Sequence, residues 1–180
     1  MSITRPALKL THEGALKMLA AAVEKATAMG VPQNINIVDE GGNLLAFVRM
    51  DGAKLLSRET SLSKAITAAS HRQPSSRLDP NYEIKLAIAA GGRLTNLEGG
   101  LPIFIEGQCV GAVGVGSGTG AQDVEVARAA LAGLDRGQFA IYPGMQMKML
   151  GMFGSVAMPF LRQWFDRKIS AARRSSSSER

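Results

Sequence analysis

The sequence predicts an α+β domain, helices packed on an antiparallel sheet, and three observations carry that expectation. Two pairs of strand-like runs are each joined by a short glycine-containing turn, the pattern of β-hairpins. Other segments place apolar residues at helical spacing and are long enough to need a sheet face to cover. Hairpins imply antiparallel neighbours, which argues against a doubly wound parallel sheet.

Taken in order, Thr11 is placed to cap a first helix whose apolar positions Leu16, Leu19, Val23 and Ala26 recur at helical spacing, with Gly30 and Pro32 ending it. "NINIVDE" and "LLAFVRM" read as strands joined by "GGN", where glycine supplies the positive backbone angles of a tight turn. Leu62, Ala65, Ile66 and Ala69 mark a second helix, closed by "RQPSS" and "LDP". A shorter helix is expected over "YEIKLAIAA". "LPIFIEG" and "CVGAVGVG" then form a second hairpin around Glu106 to Gln108, and Val126, Ala127, Ala130, Leu131 and Leu134 form the apolar face of a last helix. The order is helix, hairpin, two helices, hairpin, helix.

The 180 residues fit one domain with a substantial core, and 46% hydrophobic with 20% charged residues is an ordinary globular composition. No apolar run reaches the roughly eighteen residues a membrane span needs, and "MSITRPALKLTHEG" has no signal-peptide core, so a cytoplasmic protein without membrane contact is expected. The single cysteine, Cys109, excludes an internal disulfide and a multi-cysteine metal site, and its apolar strand context reads as a buried thiol. The net charge of +6 does not indicate nucleic acid, because most of it resides in the C-terminal stretch "RQWFDRKISAARRSSSSER".

The glycine-rich stretch "GVGSGTG" follows a strand and precedes a helix, as a phosphate cradle would. It lies after a hairpin and late in the domain, and it lacks the Lys-Ser/Thr of a P-loop, so neither nucleotide motif is supported. Thr119 and Gln122 have the spacing of a capping box, with Asp123 in the first helical turn where the dipole favours negative charge. The amides of "GSGTG" are also available in principle to an anionic group, and the two readings are compatible.

Together, "NINIVDEGGNLLAFVRMDGA", "SKAITAASHRQPSSRL" and "GGLPIFIEGQCVGAVGVGSGTGAQDVEVARAAL" resemble the GlcG/HbpS family, related to the C-terminal domain of PduO-type proteins; the resemblance covers residues 8 to 135. It implies a profilin-like sandwich with about five antiparallel strands, and homo-oligomers from dimers up to octamers. It also implies haem as a cofactor to be tested, since some members bind it.

Haem iron would want His, Cys, Met or Tyr, and the two histidines are His12, at the start of the first helix, and His71, near the end of the second. Both positions suit a solvated or capping role better than axial ligation. A ligand constellation is expected instead from Arg49 and Asp51 at a strand end, Lys64 on the following helix, and the backbone of Gly99, Gly100, Gly116, Ser117 and Gly118. Arg49 can fork onto a carboxylate, and Lys64 can act as a point charge or, if desolvated, as a base. The plain alternative is an Arg49 to Asp51 surface pair and a solvated Lys64.

Residues 136 to 172 form an apolar extension holding Trp164 and Pro159, expected to be helical and to pack on the domain or a neighbouring subunit, and residues 173 to 180 a disordered tail. Two function classes follow: a small-ligand-binding protein that takes haem or another carboxylated ligand in an oligomeric cleft, or an enzyme acting on a small carboxylated or aromatic metabolite. No triad or metal-ligand spacing identifies a reaction.

Overall fold

The computed structural model describes residues 2–137. Within them the elements follow the expected order: α1 (His12–Ala28), β1 (Asn34–Asp39), β2 (Leu44–Arg49), α2 (Ser57–His71), a 3-10 turn (Ser75–Arg77), α3 (Pro80–Ala89), β3 (Gly100–Ile105), β4 (Gln108–Gly116) and α4 (Gly120–Gly137). The expected apolar extension and tail fall outside the described residues, apart from the last residues of α4. Among the described residues no helix is long and apolar enough to cross a membrane.

The four strands form one antiparallel sheet in the order β2-β1-β4-β3, one strand fewer than the five or so expected. Each hairpin supplies an inner and an outer strand, and the two hairpins meet where β1 pairs with β4, Ile35 opposite Val115 and Ile37 opposite Val113. Because side chains alternate across a strand, this register sends Ile35, Ile37, Val113 and Val115 into a core shared with α1 and α4. Val38 and Ala112 point the other way and pack with Ala65, Ala68 and Ala69 of α2. The domain therefore has three layers, with α1 and α4 on one face and α2 on the other. Each fully buried branched side chain contributes roughly 1.5–3 kcal/mol before entropy is charged against it.

Helix α1 begins where Thr11 Oγ1 accepts the Gly14 amide at 3.1 Å, and the chain turns out of it at Gly30, with φ +65°. Its buried face differs from the expected one. Ala15, Met18, Ala22 and Ala26 are inside, whereas Leu16 is 55% exposed and Leu19 and Val23 are only partly covered. The alanine-rich side, which also includes Ala21 and carries Met18 into the core, turns inward because α1 lies close against α4: a Cβ on Gly133 would stand 2.4 Å from the Ala21 Cβ. Leucine at that contact would hold the helices apart.

Helix α3 is well started, with Asp79 accepting the Asn81 amide and Pro80 at its first position, but it buries no residue. Its tie to the domain is the Glu83 carboxylate, which accepts the Asn96 amide at 3.1 Å.

Candidate functional site

Two of the glycines anticipated as ligand-binding backbone, Gly100 and Gly116, serve first to bring α2 onto the sheet, together with Gly114. A Cβ on Gly114 would lie 2.1 Å from the Ser61 carbonyl oxygen, one on Gly100 2.3 Å from that of Lys64, and one on Gly116 3.2 Å from that of Ser57. Ser57, Ser61 and Lys64 follow one another along the helix, so glycines on two neighbouring strands make a shallow bed for its backbone.

At the end of that bed β4 leaves the sheet and α4 begins. Lys64 Nζ donates to the Val115 carbonyl at 2.8 Å and to Asp123 Oδ2 at 2.7 Å, and both charged side chains are more than nine-tenths buried. Asp123 Oδ1 accepts the Gly118 amide at 3.0 Å, and Gln33 Oε1 accepts the same amide at 3.2 Å. Thr119 and Gln122 close the anticipated capping box: the Thr119 amide donates to Gln122 Oε1 at 2.9 Å, and the Gln122 amide to Thr119 Oγ1 at 3.4 Å. Gly99, at φ +114°, passes over the ion pair, where a Cβ would come within 2.7 Å of the Asp123 Cβ.

The structure thus brings Lys64, Gly99, Gly100, Gly116, Ser117 and Gly118 to one corner, but not as an open anion cradle. The amides of Gly118, Thr119 and Gln122 already have acceptors, and the Lys64 charge is spent on Asp123. A buried pair of this kind costs about 3–5 kcal/mol when one partner is removed, because the other charge stays behind without compensation. Lys64 is therefore neither a solvated lysine nor a desolvated free amine. Ser117, not a glycine, holds the unusual backbone angle of the run, φ +112°, and its hydroxyl accepts the Lys54 amide at 3.0 Å.

Arg49 and Asp51 reach the same end of the sheet by register, Arg49 opposite Asn34 and Asn34 opposite Gly116. Both are exposed, and they do not form the surface ion pair considered as the alternative. Sequence reasoning missed the buried polar residues beside them. Asn36 Nδ2 donates to Ser61 Oγ at 2.8 Å, and Asn34 Nδ2 to the Lys54 carbonyl at 3.0 Å. Gln33 Nε2 and Asn34 Oδ1 are buried without a partner among the described residues. The signal was present in "NINIV", whose asparagines alternate with core isoleucines and so had to face α2.

Open space lies at the opposite end of the sheet. A cavity of about 650 Å3 runs between the N-terminal segment, the β3–β4 turn and the C-terminal end of α2, with Arg5, Glu40, Ser70, Arg72, Phe104 and Cys109 on its wall. Such a volume falls within the range of small-ligand pockets. Cys109, expected to be buried, is half-buried here, with Sγ 3.5 Å from the Gly111 carbonyl and 3.9 Å from that of Ala69. Among the described residues it is the one side chain on this wall of a type that ligates haem iron. His12 and His71 are exposed and line neither this cavity nor the smaller one beneath residues 8–17. Among the described residues no cluster of His, Cys, Asp and Glu could hold a metal ion.

The family model described as "Haem degrading protein HbpS-like" matches residues 10–132. A 15.0 kDa protein from the dhaT-dhaS intergenic region of Citrobacter freundii is 38% identical over 133 residues, 68% of this chain and 89% of that one. Among solved structures, Klebsiella pneumoniae protein ORFY superposes with a TM-score of 0.71 at 34% identity, covering 75% of this chain and 97% of that one. A PduOC:haem complex superposes with a TM-score of 0.65 at 27% identity, over 70% of this chain and 95% of that one.

Proposed function

The chain belongs to the HbpS-like family of haem-degrading-type proteins, and from that premise we propose that it is a cytoplasmic, homo-oligomeric small-ligand-binding protein that takes haem or another carboxylated ligand. The observation that carries the reading is the common fold with a relative solved in complex with haem. The chemistry of the residues supports the carboxylate half of it more than the iron half. Exposed arginines stand at both ends of the sheet, while both histidines sit at helix ends and line neither cavity. Haem bound here is held through its propionates by arginine and by apolar contact, without a histidine-dominated axial site. When bound, haem would supply redox-active iron.

Hemin titration followed by absorbance tests this directly. The wild type should give a saturable spectral change that survives in a His12→Ala/His71→Ala double variant. A sharp low-spin spectrum abolished in that variant would overturn the assignment of charge-held binding. No saturable change in either protein would remove haem, and a screen of smaller carboxylates would then decide whether the ligand class stands.

A further inference from the structure

The large cavity combines two features. The first is the backbone of Arg72. It closes α2 in the left-handed region, with φ 55° and ψ 31°, a helix-end position that glycine normally occupies because it has no Cβ to crowd the backbone there. Backbone angles of this kind cluster at functional sites. The second is the balance of charge on the wall. Arg5 and Arg72 form no ion pair among the described residues, whereas Glu40, the acid of this wall, is paired with Lys9 through one carboxylate oxygen and keeps the other buried without a hydrogen-bond partner among the described residues. Two guanidinium groups therefore border one cavity, with the exposed ring of Phe104 on its wall.

We propose that this cavity is the ligand site, and that it takes a dicarboxylate with an apolar body. Arg5 and Arg72 hold the carboxylates through their planar forks, and Phe104 packs against the body between them. The proposal rests on the ligand-binding reading above and adds where the ligand sits and what it must carry. It places binding at the β3–β4 turn, away from Arg49 and Lys64.

The single cysteine of the chain lies on the cavity wall and reports occupancy. Hemin, a dicarboxylate with a large apolar ring, serves as the probe on the full chain, with its dimethyl ester as control. Bound hemin should slow alkylation of Cys109 by N-ethylmaleimide, and the ester should do so much less. Arg72→Gly should weaken hemin binding about tenfold or more, the loss of a charge-assisted contact. Because glycine is the better residue at that angle, the same variant should melt no lower than the wild type, which separates lost binding from lost folding. Saturable hemin binding that leaves Cys109 equally reactive, is unchanged in Arg72→Gly and is lost in Arg49→Ala would overturn the placement and leave the ligand-binding reading intact. Equal binding of the ester would overturn the carboxylate requirement. No saturable binding would overturn both.

Discussion

Single glycines in this domain differ sharply in what they tolerate, and the difference is set by what stands opposite them. At Gly114 an added methyl meets the Ser61 carbonyl oxygen and the Ala65 amide nitrogen, both backbone atoms that cannot swing aside. At Gly116 the approach to the Ser57 oxygen is 3.2 Å and a small shift relieves it. Gly114→Ala should therefore cost about 3 kcal/mol and Gly116→Ala about 1 kcal/mol, read from thermal or denaturant unfolding. The first hairpin holds a different kind of sensitivity. Burial pushes the Asp39 carboxyl up, but hydrogen bonds from the Asn43 side chain and the amides of Asn43 and Gly41, with the nearby Lys9 charge, outweigh it and hold its pKa below the ordinary value. A depressed folded-state value means that the turn's contribution is complete above the unfolded-state pKa of about 3.9 and is lost as pH falls through the lower folded one. Asp39→Asn should flatten that part of the acid limb, measured by urea midpoints of both proteins between roughly pH 2 and 5.

Among the elements, α1 tests how far periodicity can be trusted. "GALKMLAAAVEKATA" supports two apolar stripes, and spacing alone cannot choose between the one through Leu16 and the one through Met18. The close approach of α4 at Ala21, whose Cβ would stand 2.4 Å from one on Gly133, turns the alanine-rich side of α1 inward, and Met18 goes into the core with it. Met18→Ala should cost about 2–5 kcal/mol and Leu16→Ala no more than about 0.5 kcal/mol, a ratio that paired melting curves would expose. The hairpins, the Thr11 cap and the capping box at α4 were legible because their signals lie within a few residues of one another. The Lys64 to Asp123 pair was not legible, since its partners come from helices on opposite faces of the sheet and meet only when both are docked. Asp123 read as an ordinary first-turn acid for the same reason. Cys109 was misplaced for a related one: an apolar strand pattern says that a residue is in the sheet, not whether a neighbouring segment covers it.

At the scale of the whole domain, one helix keeps an apolar stripe uncovered among the described residues. Ile84 and Ile88 of α3, one turn apart, are 71% and 75% exposed, an apolar stripe that a soluble monomer would present to water. Together with the family assignment, this supports an oligomer, and light scattering at micromolar concentration should return a mass at least twice the chain's 19.0 kDa. A soluble monomer would contradict it. The sheet order has a consequence for how the chain reaches its native state. Each hairpin is local and closes on the microsecond scale, but β1 and β4 come from opposite halves of the domain, Asp39 facing Gly111 across everything between them in the chain. The loop-closure entropy of that central pairing is spent before its contacts reward it. Until that pairing occurs, the strands bound for the inner positions keep an unpaired edge, exposed to pairing with another chain. Refolding yield should fall with protein concentration because of that interval, even though the finished sheet places both inner edges out of reach.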